Sequence, residues 1–167
     1  MQLMTGITAA TLLALSACVA LAALPAAAFD LDGIRSGMTE QQLIEGRRDK
    51  SLTIDHQDEG ALVFREKGSG EIRYYITFCQ SKSNFAFKTF QPSMLTLTAL
   101  IDSTMREYGA PKVSTRMNVA SDGESRILMF DFPPRPGDQT RVTVISQTGR
   151  ADFSPSLSKT DDTICPK

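Results

Sequence analysis

The chain has 167 residues, of which 18 are Lys or Arg and 19 are Asp or Glu, so that its net charge is −1. A nucleic-acid partner requires a basic surface that displaces counterions, and no part of this chain is strongly basic. The composition therefore argues against nucleic-acid binding.

The first 28 residues are predicted to be a signal peptide, because they contain no charged side chain and have the expected order of segments. Ile7 to Leu24 is almost wholly apolar, Pro25 interrupts it, and Ala26-Ala27-Ala28 is typical of a signal-peptidase site. The apolar stretch is also long enough for a membrane span, but acidic rather than basic residues follow it. Cleavage after Ala28 leaves about 139 residues, the size of a single domain.

The leader has a second interpretation, since Leu15-Ser16-Ala17-Cys18 resembles a lipid-attachment box. The segment from Val19 to Ala28 is wholly apolar, whereas a lipoprotein tether is normally polar and flexible. We therefore expect a soluble protein that begins at Phe29 and is periplasmic or secreted. The alternative is a lipoprotein of the cell envelope, which contacts the membrane only if Cys18 is lipidated.

Two cysteines follow the predicted leader, Cys79 and Cys165. An even pair in an exported chain predicts one disulfide, and the polar setting of Cys165 offers little apolar cover for a free thiol. Two separate buried thiols are the alternative.

The clearest local pattern is the start of a short helix at Glu40. Thr39 and Gln42 have the spacing of a capping box, and Met38 and Leu43 have the spacing of a hydrophobic staple. Gly46 and the basic residues after it are expected to end this helix.

A second helix is predicted to start near Ser93 and to stop at Gly109. Between them, apolar side chains recur at spacings of three and four residues, which is the helical period. Its apolar positions are Met94, Leu97, Leu100, Ile101, Met105 and Tyr108.

Seven β-strands are predicted from alternating apolar side chains and turn sequences. They cover Ser51–Gln57, Ala61–Lys67, Glu71–Gln80, Asn84–Phe90, Pro111–Val119, Glu124–Phe132 and Gln139–Gln147. Residues 151–167 form a polar tail that we expect to be held only by the disulfide.

This order of elements predicts an α+β domain over residues 29–150. We expect two tandem helix-plus-antiparallel-meander units, at 33–90 and 91–147, with the helices packed on one face of the sheet and the other face in water.

The stretch GIRSGMTEQQLIE, at residues 33–45, resembles the entry to the SmpA/OmlA (BamE-like) fold, in which a Gly-Met-Thr turn starts a helix. Leu100, Tyr108, Gly109 and Pro111 are similar to a signature of small exported proteins of that kind. Two such units in tandem also resemble the β-lactamase inhibitor protein group. The resemblance implies an exported envelope protein of either group, including an outer-membrane assembly or structural factor.

Candidate catalytic residues are few. His56, the only histidine, lies in an acidic stretch and is the centre of one hypothesis, a small metal-dependent hydrolase. Because zinc sites usually need three or four protein ligands, we interpret the stretch instead as a solvated turn. No dinucleotide, haem or phosphate-loop motif is present, and we predict no cofactor, no metal site and no enzymatic activity.

Aromatic side chains are concentrated on two adjacent predicted strands. Strand alternation places Tyr75 opposite Tyr74, and Phe90 opposite Phe85 and Phe87. Tyr75 and Phe90 are therefore our candidates for an exposed patch that binds a protein partner. The alternative is that both faces of the sheet are covered. The sequence favours an exported, non-catalytic protein-binding module of the bacterial cell envelope.

Overall fold

A computed structural model describes residues 28–47, 51–57, 60–120, 123–148 and 153–165. These residues form two helices and ten strands. In chain order the elements are β1 (Asp30–Leu31), β2 (Ile34–Arg35), α1 (Glu40–Gly46), β3 (Leu52–Gln57), β4 (Ala61–Glu66), β5 (Ile72–Cys79), β6 (Lys82–Thr89), α2 (Met94–Tyr108), β7 (Lys112–Ala120), β8 (Gly123–Asp131), β9 (Gln139–Gln147) and β10 (Phe153–Thr160).

The expectation of an α+β fold with two tandem helix-plus-meander units is wrong. The described fold is mostly β, with one continuous antiparallel sheet of eight strands in the order β3-β4-β5-β6-β10-β9-β8-β7. β1 and β2 form a separate two-stranded sheet, and α1 has only seven residues. The physical reason is β10, which lies between β6 and β9 and joins the two halves of the chain into one sheet.

β10 comes from the polar tail, where no strand was predicted. Its side chains nevertheless alternate, with Phe153, Pro155, Leu157 and Lys159 on one face and serines or Thr160 on the other. Proline is rare inside sheets because it lacks an N–H donor. Pro155 is aligned with Val144 of β9, and its carbonyl accepts a hydrogen bond from the Phe90 N–H just after β6, while the aligned pairing of β10 with β6 starts at Ser156.

Both helices begin where the sequence predicted. The Thr39 side chain accepts a hydrogen bond from the Gln42 backbone N–H, and the Gln42 side chain accepts one from the Thr39 N–H, which completes the capping box. Ser93 caps α2 by accepting from the Thr96 N–H. Gly109 follows α2 with a φ of 91°, a left-handed conformation that favours glycine.

Both hydrophobic cores lie on one face of the large sheet, which we call the helix-bearing face. On this face, Tyr74 is paired across the strands with Lys88, Lys88 with Leu157, and Leu157 with Val142. The first core joins α1 and β1-β2 to the sheet through Phe29, Leu31, Ile34, Leu43, Leu62, Phe64, Tyr74, Ile76 and Ala86. The second joins α2 to the sheet through Leu97, Leu100, Tyr108, Phe132, Val142 and Val144.

The predicted disulfide between Cys79 and Cys165 is confirmed, with the two Cα atoms 5.9 Å apart. It links the end of β5 to the segment that follows β10. Because disulfides persist in oxidising compartments, the bond indicates a protein that matures outside the cytosol.

Candidate binding surface

Three aromatic side chains cluster on the face of the sheet opposite the helices, which we call the uncovered face. Tyr75 and Phe87 are direct cross-strand partners, and their ring centroids are 5.6 Å apart. Phe85 lies two residues before Phe87 on β6, with its centroid 6.4 Å from that ring. All three side chains are only partly buried, and neither of the two core clusters includes them, while Val63, which pairs with Tyr75 on this face, is fully buried. We call Tyr75, Phe85 and Phe87 the aromatic cluster.

A cavity of about 370 Å³ adjoins this cluster. Phe85 forms part of its wall, and the Arg141 guanidinium donates to the Asp131 carboxylate there in a partly exposed ion pair. Ser158 and Thr160 of β10 add hydroxyl groups. The cavity, which Phe132 also lines, therefore combines aromatic walls with charged and hydroxyl groups, a composition suited to holding a polar or charged side chain of a partner.

The structure does not bring Tyr75 and Phe90 together. Phe90 packs against the second core, and the Lys88 ammonium lies 4.9 Å from the centre of its ring. Phe85 and Phe87, which the sequence analysis placed opposite Phe90, are instead the residues that accompany Tyr75. The F-x-F alternation at 85–87 shows that these rings share a face, but only the pairing of β5 with β6 shows which face it is.

His56 lies on β3 with its Nδ1 atom 3.1 Å from Oε1 of Glu40, and both side chains are largely exposed. Across the described residues, no group of three or more His, Cys, Asp or Glu side chains is arranged to hold a metal ion. The contact instead joins the start of α1 to the edge strand β3.

Two polar trios occur on the helix-bearing face. In the first, Lys159 donates to the Tyr108 hydroxyl over 2.6 Å, and that hydroxyl donates to Oδ2 of Asp138 over 2.6 Å. Thr140 donates to the other oxygen of Asp138 over 2.8 Å. The three residues of this trio and Thr140 are all buried, and the hydrogen bonds between them supply the partners that buried polar groups need.

The second trio joins β1-β2 to the large sheet. Tyr74 donates to Oδ2 of Asp32 over 2.8 Å, and the Lys88 ammonium donates to the same oxygen. Each trio has a guanidinium over its tyrosine ring: Arg47 lies 4.0 Å from the Tyr74 centroid, and Arg135 lies 4.3 Å from the centroid of Tyr108.

Three side chains of the trios have shifted pKa values, and each shift moves the pKa further away from neutral pH. Burial raises the pKa of Asp32, yet hydrogen bonds from Lys88 and Tyr74 outweigh it, so the pKa falls below its usual 3.8. Burial and then the hydrogen bond to Asp138 raise the pKa of Tyr108. Burial lowers the pKa of Lys159, but the hydrogen bond to Tyr108 and the charge of Asp138 raise it overall. Because acid–base catalysis favours a pKa near the working pH, these shifts suit structural roles better than catalytic ones.

Cys18 and the leader before Ala28 lie outside the described residues. Among the residues that are described, neither helix has the length and apolar character that crossing a bilayer requires.

No family model, curated protein or solved structure matches this chain. The resemblance to the BamE-like and β-lactamase inhibitor groups is therefore neither supported nor contradicted by these comparisons.

Proposed function

We propose that this protein is an exported, non-catalytic binding module of the bacterial cell envelope, and that it binds a protein partner through the uncovered face. The observation that carries the proposal is the aromatic cluster of Tyr75, Phe85 and Phe87, which is only partly buried on strands β5 and β6. Aromatic side chains that cluster on a rigid sheet and keep part of their surface accessible are typical of partner surfaces.

The cluster has the properties of an anchoring site. An aromatic side chain buries about 150–250 Å² when it is fully covered, and the three neighbouring rings offer a partner the part of that area that the sheet leaves accessible. The Asp131–Arg141 ion pair beside the cavity supplies charge at the border of this area. An apolar centre with a charged border is the usual arrangement of a protein–protein interface.

The disulfide supports the exported location, because the Cys79–Cys165 bond needs an oxidising compartment to persist. The alternative is a lipid-anchored assembly or structural factor held at Cys18. The intact mass of protein purified from the envelope separates the two, since cleavage after Ala28 removes Cys18 whereas lipidation retains it with a diacylglycerol group.

The competing hypothesis is a small metal-dependent hydrolase centred on His56. The Nδ1 contact of His56 with Glu40 supports a structural use of this imidazole, and both side chains are in water. A metal assay on the purified protein and on His56→Ala tests the hypothesis, because a catalytic metal bound at His56 would be lost in the variant.

The binding proposal is tested by site-specific photo-crosslinking in the producing cell. A photoreactive amino acid at Tyr75 is expected to yield one discrete adduct, whose partner is identified by mass spectrometry. The control position is Leu95 on α2, which is 82% exposed but lies on the other side of the molecule.

A second variant separates specific binding from chance encounters. Phe87→Ala, combined with the crosslinker at Tyr75, is expected to reduce the adduct at least about fivefold, because it removes the ring that contacts Tyr75. Equal adducts from Tyr75 and Leu95, or an adduct unaffected by Phe87→Ala, would contradict the proposal.

A further inference from the structure

The β7 strand forms one edge of the large sheet. All nine residues of β7 pair with β8 in an unbroken register, from Lys112 with Asp131 to Ala120 with Gly123. In the described part of the chain no strand pairs with the other side of β7. Edge strands are usually protected from further pairing by shortness, bulges, prolines or charged side chains; β7 is long, regular and free of proline, and its only charged residues are Lys112 and Arg116.

An apolar row runs along β7 on the helix-bearing face, beyond the area that α2 covers. Val113 is 54% exposed, Met117 is 59% exposed and Val119 is 71% exposed. Val113 pairs with Phe130 of β8, which packs against the core beneath α2, so this end of the row continues that core toward solvent, whereas Met117 and Val119 pair with Arg126 and Glu124. A cavity of about 460 Å³ adjoins Met117 and is walled by Arg126, Leu128 and Val144.

The charged side chains of β7 determine which kind of strand can pair with this edge. β7 carries Lys112 and Arg116, both exposed, and contains no acidic residue. A second copy of the chain that pairs antiparallel along all nine residues would place Arg116 directly opposite the Arg116 of that copy. Like charges directly opposite each other destabilise a strand pair, whereas an acidic side chain at that position stabilises it.

We propose that β7 is a strand-addition site for an extended segment of a partner protein in which apolar and acidic residues alternate. Such a segment completes the sheet through backbone hydrogen bonds and lays its apolar side chains on Val113, Met117 and Val119. Its acidic side chains lie on the opposite face, where they meet Lys112 and Arg116. This site is separate from the aromatic cluster and does not depend on it.

The test uses a fluorescent nine-residue peptide of alternating valine and glutamate, titrated with the full mature protein at neutral pH. Saturable binding is expected in fluorescence anisotropy, together with slower amide hydrogen exchange in β7. A peptide of the same sequence with N-methylated backbone nitrogens is the matched control, and it is expected not to bind because it cannot donate the backbone hydrogen bonds.

Charge reversal gives the sharper result. Arg116→Glu is expected to weaken binding of the valine–glutamate peptide about tenfold and to allow binding of a valine–lysine peptide. Arg106→Glu makes the same change at an exposed position on α2 and is expected to leave both affinities unchanged. Met117→Glu, which interrupts the apolar row, is expected to abolish binding of either peptide, and circular dichroism checks that each variant is folded.

Three results of the peptide titrations would overturn the proposal. They are an absence of binding to the valine–glutamate peptide, binding that Arg116→Glu and Arg106→Glu affect equally, and binding that N-methylation leaves unchanged. A concentration-dependent dimer in sedimentation velocity that Met117→Glu disperses would assign the edge to a second copy of the chain and would also overturn it.

Discussion

The Nζ atom of Lys159 lies 2.6 Å from the hydroxyl oxygen of Tyr108, and both residues are less than a tenth exposed. Lys159 comes from the central strand β10, whereas Tyr108 is the last residue of α2. Asp138 completes the group, with its Oδ2 atom 3.5 Å from the ammonium. This contact joins the covering helix, the loop before β9 and the middle of the sheet through a buried charge.

A double-mutant cycle on Lys159 and Asp138 measures what this contact contributes. Removing one member of a buried pair costs about 3–5 kcal/mol, because the other charge is left without its partner. We expect Lys159→Met and Asp138→Asn each to lower the free energy of unfolding by about that amount, and the double variant to lose less than the sum.

Urea titration gives the free energies for this cycle. The control pair is Arg35 and Asp30, whose side chains are both more than half exposed. Their coupling energy is expected to stay below about 1 kcal/mol. Strict additivity at Lys159 and Asp138 would show that the buried pair is not coupled.

The same trio predicts a loss of stability at alkaline pH. The pKa of Tyr108 is raised above its usual 10.0, by burial first and then by Asp138, and the pKa of Lys159 is raised above its usual 10.5. The folded state therefore holds these protons more tightly than the unfolded state does. Their contribution is fully present below about pH 10 and is lost as the pH rises through the folded pKa values.

Unfolding curves between about pH 8 and about pH 11 check this prediction. The free energy of unfolding should fall more steeply above about pH 10 in the wild type than in Tyr108→Phe, which cannot lose the phenolic proton. Parallel pH profiles for the two proteins would contradict the assignment.

The capping box of α1 makes a smaller but specific prediction. Thr39→Ala removes the acceptor for the Gln42 N–H and is expected to lower the free energy of unfolding by about 0.5–2 kcal/mol. Thr39→Ser keeps a hydroxyl at the same position and should cost much less. If the two variants are equally stable in urea titration, the cap contributes nothing measurable.

The helix boundaries could be predicted from the sequence because the interactions that set them join residues close together in the chain. Thr39 with Gln42, and Ser93 with Gly109, are short-range signals, and the helices start and stop where these residues predict. The disulfide was predictable for a different reason, since few partners existed to choose from once the leader was set aside.

Strand pairing was not readable, because it depends on residues that are far apart in the chain. Alternation alone cannot tell that Phe87, rather than Phe90, shares a face with Tyr75, and a register shift between Thr77 and Phe78 interrupts the simple count. The strand β10 was not predicted, for a related reason. Its serine-rich face is exposed or half-buried, so its pattern resembles a polar tail, and its central place depends on two partner strands.

The disulfide secures β10, the strand that joins the two halves of the sheet. The Cys79–Cys165 bond closes a loop of 86 residues, and chain-entropy arguments assign such a loop about 4–5 kcal/mol at most. We expect the Cys79→Ser and Cys165→Ser double variant to lose about 2–5 kcal/mol in the free energy of unfolding. Amide exchange should accelerate first near Asp161, whose N–H donates to the Asn84 carbonyl next to the bond. Wild-type protein treated with dithiothreitol should show the same loss, whereas the serine variant should not respond to the reductant. A variant within about 0.5 kcal/mol of the wild type would show that β10 is held by its strand pairing alone.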